Sequence, residues 1–147
     1  MQNQKANKKR DLFLVAGGSR LGANIASGMS KYKKNVTLID LDPRAFRKLN
    51  PDYSGYTVAG DATDISVLEQ AGINRAYVVI AATNDDNTNI MISQIARVVF
   101  DVPTVIARLY SPDMENIGSK NGVLVVYPYK LSVDIIEQML SERGCIS

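Results

Sequence analysis

Gly17-Gly18-Ser19-Arg20-Leu21-Gly22 is the segment whose residue types and spacing bear most directly on chemistry. It follows an apolar run and opens a stretch of helical periodicity, so the order is strand, glycine turn, helix. Such a turn gathers free backbone N–H groups at the positive end of a helix, and a diphosphate fits there. Gly17 would make the tight turn and Gly22 would let the helix pack closely on the sheet. Ser19 stands where the usual pattern has its middle glycine, and its hydroxyl could hydrogen-bond a phosphate oxygen. Arg20 adds a fixed positive charge beside the same phosphates. Without a ligand, the segment reads as a tight turn with structural glycines and an exposed arginine.

Asp40 ends the second apolar run, 18 residues beyond Gly22. A dinucleotide site needs an acceptor there for the adenosine ribose hydroxyls. Its carboxylate can accept from both hydroxyls of an unphosphorylated ribose and would repel a 2′-phosphate. NAD(H) is favoured over NADP on that ground, with Arg44 and Arg47 as opposing charges nearby. A strand-end cap is the alternative role for Asp40, and Asp42, before Pro43, reads as a helix N-cap. Gly60-Asp61-Ala62-Thr63 and Ala81-Ala82-Thr83-Asn84 close two further apolar runs. In open parallel sheets the ligand crevice lies at the carboxyl ends of the strands, where strand order reverses. Small residues such as Ala62 and Ala82 leave room for a cofactor, and Asp61 could accept from the adenine amino group. Taken alone, each cluster is also an ordinary turn.

These residues need a parallel sheet to bring them together, and the apolar runs supply one. Leu12–Val15, Val36–Ile39, Tyr56–Ala59, Tyr77–Ala81, Thr104–Ala107 and Val123–Val126 read as six strands. Their near-continuous apolarity suits strands covered on both faces. Between them, Leu21, Ile25, Met29 and Tyr32 share one helical face, as do Met91, Ile95, Val98 and Val99. Shorter helices follow Pro43, suited to a first helical turn, and Asp64, a second N-cap. The alternation from residue 11 to about 143 predicts an α/β fold, a Rossmann-like doubly wound parallel six-stranded sheet in a single domain.

A length of 147 residues gives one domain and no room for a second catalytic one. Net charge is +2, and Lys5, Lys8, Lys9 and Arg10 cluster in residues 1–10, read as a flexible basic tail with no nucleic-acid role. Cys145 has no partner for a disulfide, which fits a reducing compartment. No apolar run approaches the roughly 18 residues of a membrane span. Catalysis of hydride transfer needs a proton donor or acceptor at the nicotinamide, yet the chain contains no histidine. Tyr127-Pro128-Tyr129-Lys130 also lacks the Tyr-x-x-x-Lys spacing of short-chain dehydrogenases. No catalytic residue and no metal site is expected.

Residues 11–142 resemble the nucleotide-binding domain of regulators of potassium conductance, the RCK-N or KTN family that includes Trk-type potassium-uptake subunits. The resemblance rests on Arg20-Leu21-Gly22, Ile39-Asp40 with Asp42-Pro43, and Gly60-Asp61-Ala62-Thr63. It continues in Ala82-Thr83-Asn84-Asp85-Asp86-Asn87-Thr88-Asn89, Ala107-Arg108 and Val126-Tyr127-Pro128. It implies a cytoplasmic regulatory subunit, peripheral to the membrane through its partner, whose nucleotide state controls a membrane-embedded potassium channel or transporter. The nucleotide would be NAD(H), or in relatives ATP, ADP or AMP. By the same resemblance, Gly17, Ser19, Arg20, Leu21 and Gly22 would hold phosphates and Asp40 the ribose, with Leu41 also in the cofactor site. Asp61 and Ala62 would hold the adenine end, with Ala82, Thr83, Asn84 and Arg108 on the far side. Ser19 departs from the family's usual glycine. An RCK-N/KTN domain over 11–143 without an RCK-C domain is expected.

A last helix, from about Ser132 to Glu142, carries Ile135, Ile136, Met139 and Leu140, with Leu131 just before it. This stripe would pack either on the sheet edge or on another subunit, giving a homodimer or a higher ring.

Overall fold

The computed structural model describes residues 9–147; Lys5 and Lys8 of the expected tail lie outside the described residues. Six parallel strands form one sheet: β1 (Leu12–Ala16), β2 (Asn35–Asp40), β3 (Tyr56–Ala59), β4 (Ala76–Ala81), β5 (Thr104–Arg108) and β6 (Leu124–Val126). Their order is β3-β2-β1-β4-β5-β6, so the direction of winding reverses between β1 and β4. The α/β, Rossmann-like doubly wound arrangement expected from the apolar runs is the one observed.

Side chains alternate across the sheet with the strand period of two. Leu14 and Ala16 of β1 join Ile39, Val79, Val105 and Ala107 in the larger core beneath α2 (Ile65–Gln70) and α3 (Asp86–Gln94). Val15, Val36 and Leu38 face the other way, toward α1 (Arg20–Lys31). The helical faces differ from their sequence reading. α1 buries Gly22, Ala23, Ala26, Ser27 and Ser30, while Ile25 and Met29 pack at the margin and Tyr32 is exposed. Small residues let this helix lie close to β1 and β2, which moves the large side chains to its flanks. α3 buries Asn89, Ile90, Ile92 and Ser93, and the segment after it buries Ala96 with Ile95 packed against the core, whereas Met91, Val98 and Val99 point outward. A π turn over Ile95–Val99 rotates its end, and the buried Asn89 sets its inward face.

The caps follow the sequence closely. Asp64 accepts from Ser66 N before α2, and Asp42 from Arg44 N before a 3-10 segment, Pro43–Lys48. The α3 cap is Asp85, which accepts from Thr88 N. Hydrogen bonds from Ser66 and from Thr88 hold the carboxyls of Asp64 and Asp85 below the usual carboxylate range. Arg10 is no free tail residue: its guanidinium donates to the carbonyls of Ala76 (2.8 Å) and Phe100 (2.9 Å).

α5 starts at Pro128, a turn earlier than its apolar stripe suggests, and runs to Glu142 with no buried residue. Tyr129 stacks on Tyr110 at its root, ring centroids 5.0 Å apart. α5 therefore does not pack on the sheet edge, the first of its two expected placements.

Tyr53, between β2 and β3, donates to Tyr56 O at 2.8 Å, and burial pushes its hydroxyl up from 10.0 to about 12. The folded chain holds this proton more tightly than the unfolded chain, so the contribution is complete below pH 10 and lost as pH rises through about 12. Urea midpoints measured across that window should fall in the wild type and decline less steeply in Tyr53→Phe.

Candidate functional site

The turn between β1 and α1 descends onto the end of β4. Gly17 has φ +109°, in the left-handed region, and a Cβ there would lie 2.5 Å from Thr83 N. A Cβ on Gly22 would collide with the Gly17 carbonyl oxygen, so the second glycine serves the turn itself more than helix–sheet packing. Ser19 is the N-cap of α1. Its hydroxyl donates to Ala82 O at 2.6 Å and accepts from Gly22 N at 3.2 Å. In this arrangement its one proton is directed at a backbone carbonyl and not into the crevice, where the expected phosphate bond would need it.

Asp40 projects from the end of β2 toward the same turn. One carboxylate oxygen accepts from Gly18 N at 2.7 Å and the other from Asp42 N at 2.8 Å. Asp40 is therefore a brace of the glycine turn as well as a candidate ribose acceptor. Arg44 pairs with Asp42 at 2.8 Å, and this hydrogen bond holds the Asp42 carboxyl below its ordinary value.

Three adjoining cavities follow the carboxyl ends of the strands. The first, of about 450 Å³, brings Gly17, Asp40, Leu41, Asp61, Ala62, Thr83 and Asn84 together. Leu41 is 75% exposed and so free to cover a ligand. Asp61 accepts from the Thr63 hydroxyl at 2.7 Å and from Thr63 N at 2.9 Å, which folds the β3 loop around the cavity. A second, of about 440 Å³, lies between the glycine turn and the 3-10 segment. The third, of about 480 Å³, gathers Ser19, Arg20, Leu21, Asn84 and Arg108, joined by Lys48. Arg108 donates to Asn84 at 3.2 Å across its floor. Gly22 and Ala82 line none of these cavities; Ala82 is fully buried beneath the turn and carries it.

Three residues with structural roles here had none assigned from sequence. Asn89 is 1% exposed, and its amide accepts from Thr83 N (2.9 Å) and the Thr83 hydroxyl (2.6 Å). It also donates to the carbonyls of Thr83 (3.0 Å) and Arg108 (2.8 Å), locking the ends of β4 and β5 together. An asparagine three and seven residues ahead of the buried Ile92 and Ala96, and so on their helical face, was the available signal. Asp86 accepts from Tyr110 N and Ser111 N, fixing the loop after β5. Lys48 donates to Gly18 O at 3.1 Å, a contact 30 residues apart that no local pattern announces.

A parallel sheet that reverses at a glycine turn, with open cavities along its carboxyl ends, defines a Rossmann-type domain. Residues 13–128 match the TrkA-N domain, and the chain belongs to that family. Among relatives, the Trk system potassium uptake protein TrkA of Streptomyces coelicolor is 30% identical over 132 residues, covering 90% of this chain and 59% of its own length. The TrkA homolog of Methanothermobacter thermautotrophicus is 29% identical over 129 residues, covering 87% of this chain and 59% of that protein. The chain thus spans about three-fifths of these relatives. The solved GsuK RCK domain superposes with a TM-score of 0.77 at 27% identity, covering 92% of this chain and 29% of that one. The same protein has been solved as a channel bound to NAD, with 91% of this chain and 24% of that one covered, and bound to ADP, with 94% and 36%. Among the described residues no helix is long and apolar enough to cross a membrane.

Asn89→Leu keeps the number and branching of side-chain heavy atoms but strips four hydrogen bonds from buried and half-buried partners. Urea unfolding should show a loss of about 2–4 kcal/mol. Asn87→Leu, at an exposed position of the same helix, should stay within about 0.5 kcal/mol of wild type.

Proposed function

We propose that this chain is the nucleotide-binding regulatory domain of a potassium channel or transporter, and that it holds NAD(H), with ATP, ADP or AMP as alternative ligands. The observation that carries the reading is the crevice itself: a glycine turn braced by Asp40 with a cavity of about 450 Å³ running from it to Asp61. Adenine lies in that cavity near Asp61 and Ala62, the ribose on Asp40 beside Leu41, and the phosphates over the turn, flanked by Arg20. Thr83, Asn84 and Arg108 border the far half. The names of the relatives and the NAD-bound GsuK channel support the potassium and NAD parts of this assignment.

The domain senses and does not catalyse. The carboxylates lining the first cavity are committed to local bonds: Asp40 to the glycine turn, Asp61 to Thr63 and Asp85 to Thr88. The chain has no histidine to take over proton transfer. A ligand of such a domain acts by preferring one arrangement of subunits over another, and can shift that balance only by its difference in affinity.

Calorimetry should show NADH binding without turnover. Asp40→Ala should weaken it by about 1–3 kcal/mol, since the change removes hydrogen bonds to a charged acceptor. Undiminished affinity in that variant would sink the ribose assignment.

The chain also pairs with a second copy. On α5, Leu131, Ile135, Ile136 and Met139 are each more than half exposed, an apolar stripe with no partner in its own subunit. On the sheet, Ile80, Ile106 and Leu124 are register partners across β4, β5 and β6, a row with Leu124 58% exposed. Two apolar surfaces left open in one chain suit a symmetric exchange between two copies, within a homodimer or ring that reports to the membrane-embedded partner. Light scattering should give at least a dimer for the wild type, and Ile135→Asp combined with Met139→Asp should give a monomer.

A further inference from the structure

We propose that Lys48 is a phosphate ligand of the crevice that makes it discriminate nucleotides by the charge of their phosphate chain; this rests on the nucleotide-binding reading above. Lys48 closes the 3-10 segment Pro43–Lys48, and its ammonium reaches back to the carbonyl of Gly18, 3.1 Å away, in the middle of the glycine turn. Among the described residues it is the one cation that borders both the cavity of about 440 Å³ beside Asp40 and the cavity of about 480 Å³ beside Arg20 and Arg108.

An ammonium carries three donors, and one is used on Gly18 O. Among the described residues no carboxylate lies within ion-pair distance of Lys48, Arg20 or Arg108. The two carboxylates sharing the smaller cavity are engaged elsewhere, Asp40 with Gly18 N and Asp42 N, and Asp42 with Arg44. Three cations with no ion pair of their own therefore border the turn, Arg20 and Arg108 on the α1 and β5 side and Lys48 on the 3-10 segment, where its charge also helps to lower the Asp42 carboxyl. A lysine acts as a point charge and needs no fixed planar geometry, so it can follow a chain of phosphates past the turn. Its hold on Gly18 O keeps that charge within a hydrogen bond of the backbone where the first phosphate would sit.

Two roles for Lys48 give different results. A mere brace of the turn would affect every adenosine ligand alike, whereas a phosphate ligand would affect each according to its phosphates. Calorimetric titration with AMP, ADP, ATP and NADH, on wild type, Lys48→Met and Lys48→Arg, separates them. Wild type should bind in the order ATP, ADP, AMP, more weakly for AMP. Lys48→Met should weaken ATP by about tenfold, the loss of one charge-assisted hydrogen bond, and AMP much less. Lys48→Arg should recover most of the ATP affinity, and wild-type ATP binding should fall more steeply with added salt than AMP binding. Equal losses for AMP and ATP in Lys48→Met, or an ATP affinity unchanged by it, overturn the proposal while leaving the nucleotide reading intact. Failure of the wild type to bind any of the four ligands overturns both.

Discussion

The crevice depends on one close approach, that of the β1–α1 turn to the end of β4. No side chain fits between them: a Cβ at Gly17 would meet Thr83 N at 2.5 Å, and one at Gly22 would meet the Gly17 carbonyl. The Ser19 hydroxyl then closes the gap with its bond to Ala82 O. This contact is possible because β1 and β4 are neighbours with the connections leaving in opposite directions, so their carboxyl ends stay uncovered. Serine in place of the middle glycine does not prop the turn away from the sheet. It turns its hydroxyl inward and uses it to fasten the turn down, leaving the outer side of the turn to backbone N–H groups and cations.

Carboxylates organise the rest of the rim. Asp40, Asp42, Asp61, Asp64, Asp85 and Asp86 each accept from backbone N–H groups of the loop that carries them or the loop beside it. The loops are thereby shaped before any ligand arrives, which lowers the ordering entropy that binding must offset. Asp40 illustrates how brace and ligand contact combine. An ionised carboxylate has about four acceptor sites and two are occupied by Gly18 N and Asp42 N, so acceptor sites remain for the ribose hydroxyls proposed to bind there.

The subunit is asymmetric in how far it satisfies itself. On one face α1 covers β1 and β2 through small residues, and on the other α2 and α3 cover the larger core. α5 is the exception, anchored by the Tyr110–Tyr129 stack and otherwise bare. A helix with a continuous apolar stripe and no buried residue gains little from its own fold, and its stability is tied to what it meets outside.

The strands, the caps, the glycine turn and Asp40 were legible in the sequence because each is a local matter: apolar runs, backbone conformations open only to glycine, and aspartates that bond within a few residues. The carboxyl-terminal clusters around Asp61 and Thr83 were legible because the fold class fixes where crevices form. Tertiary structure alone decided which face of α1 turns inward, since close approach to a sheet favours small residues over large ones, and how the π turn after α3 rotates the end of that helix. It alone committed the Ser19 hydroxyl to Ala82 and sent α5 away from the sheet. It also brought Lys48 over Gly18 and Asn89 between β4 and β5. These contacts join residues far apart in the chain, and their geometry follows from how strands are ordered in the sheet, which no local pattern of residues encodes.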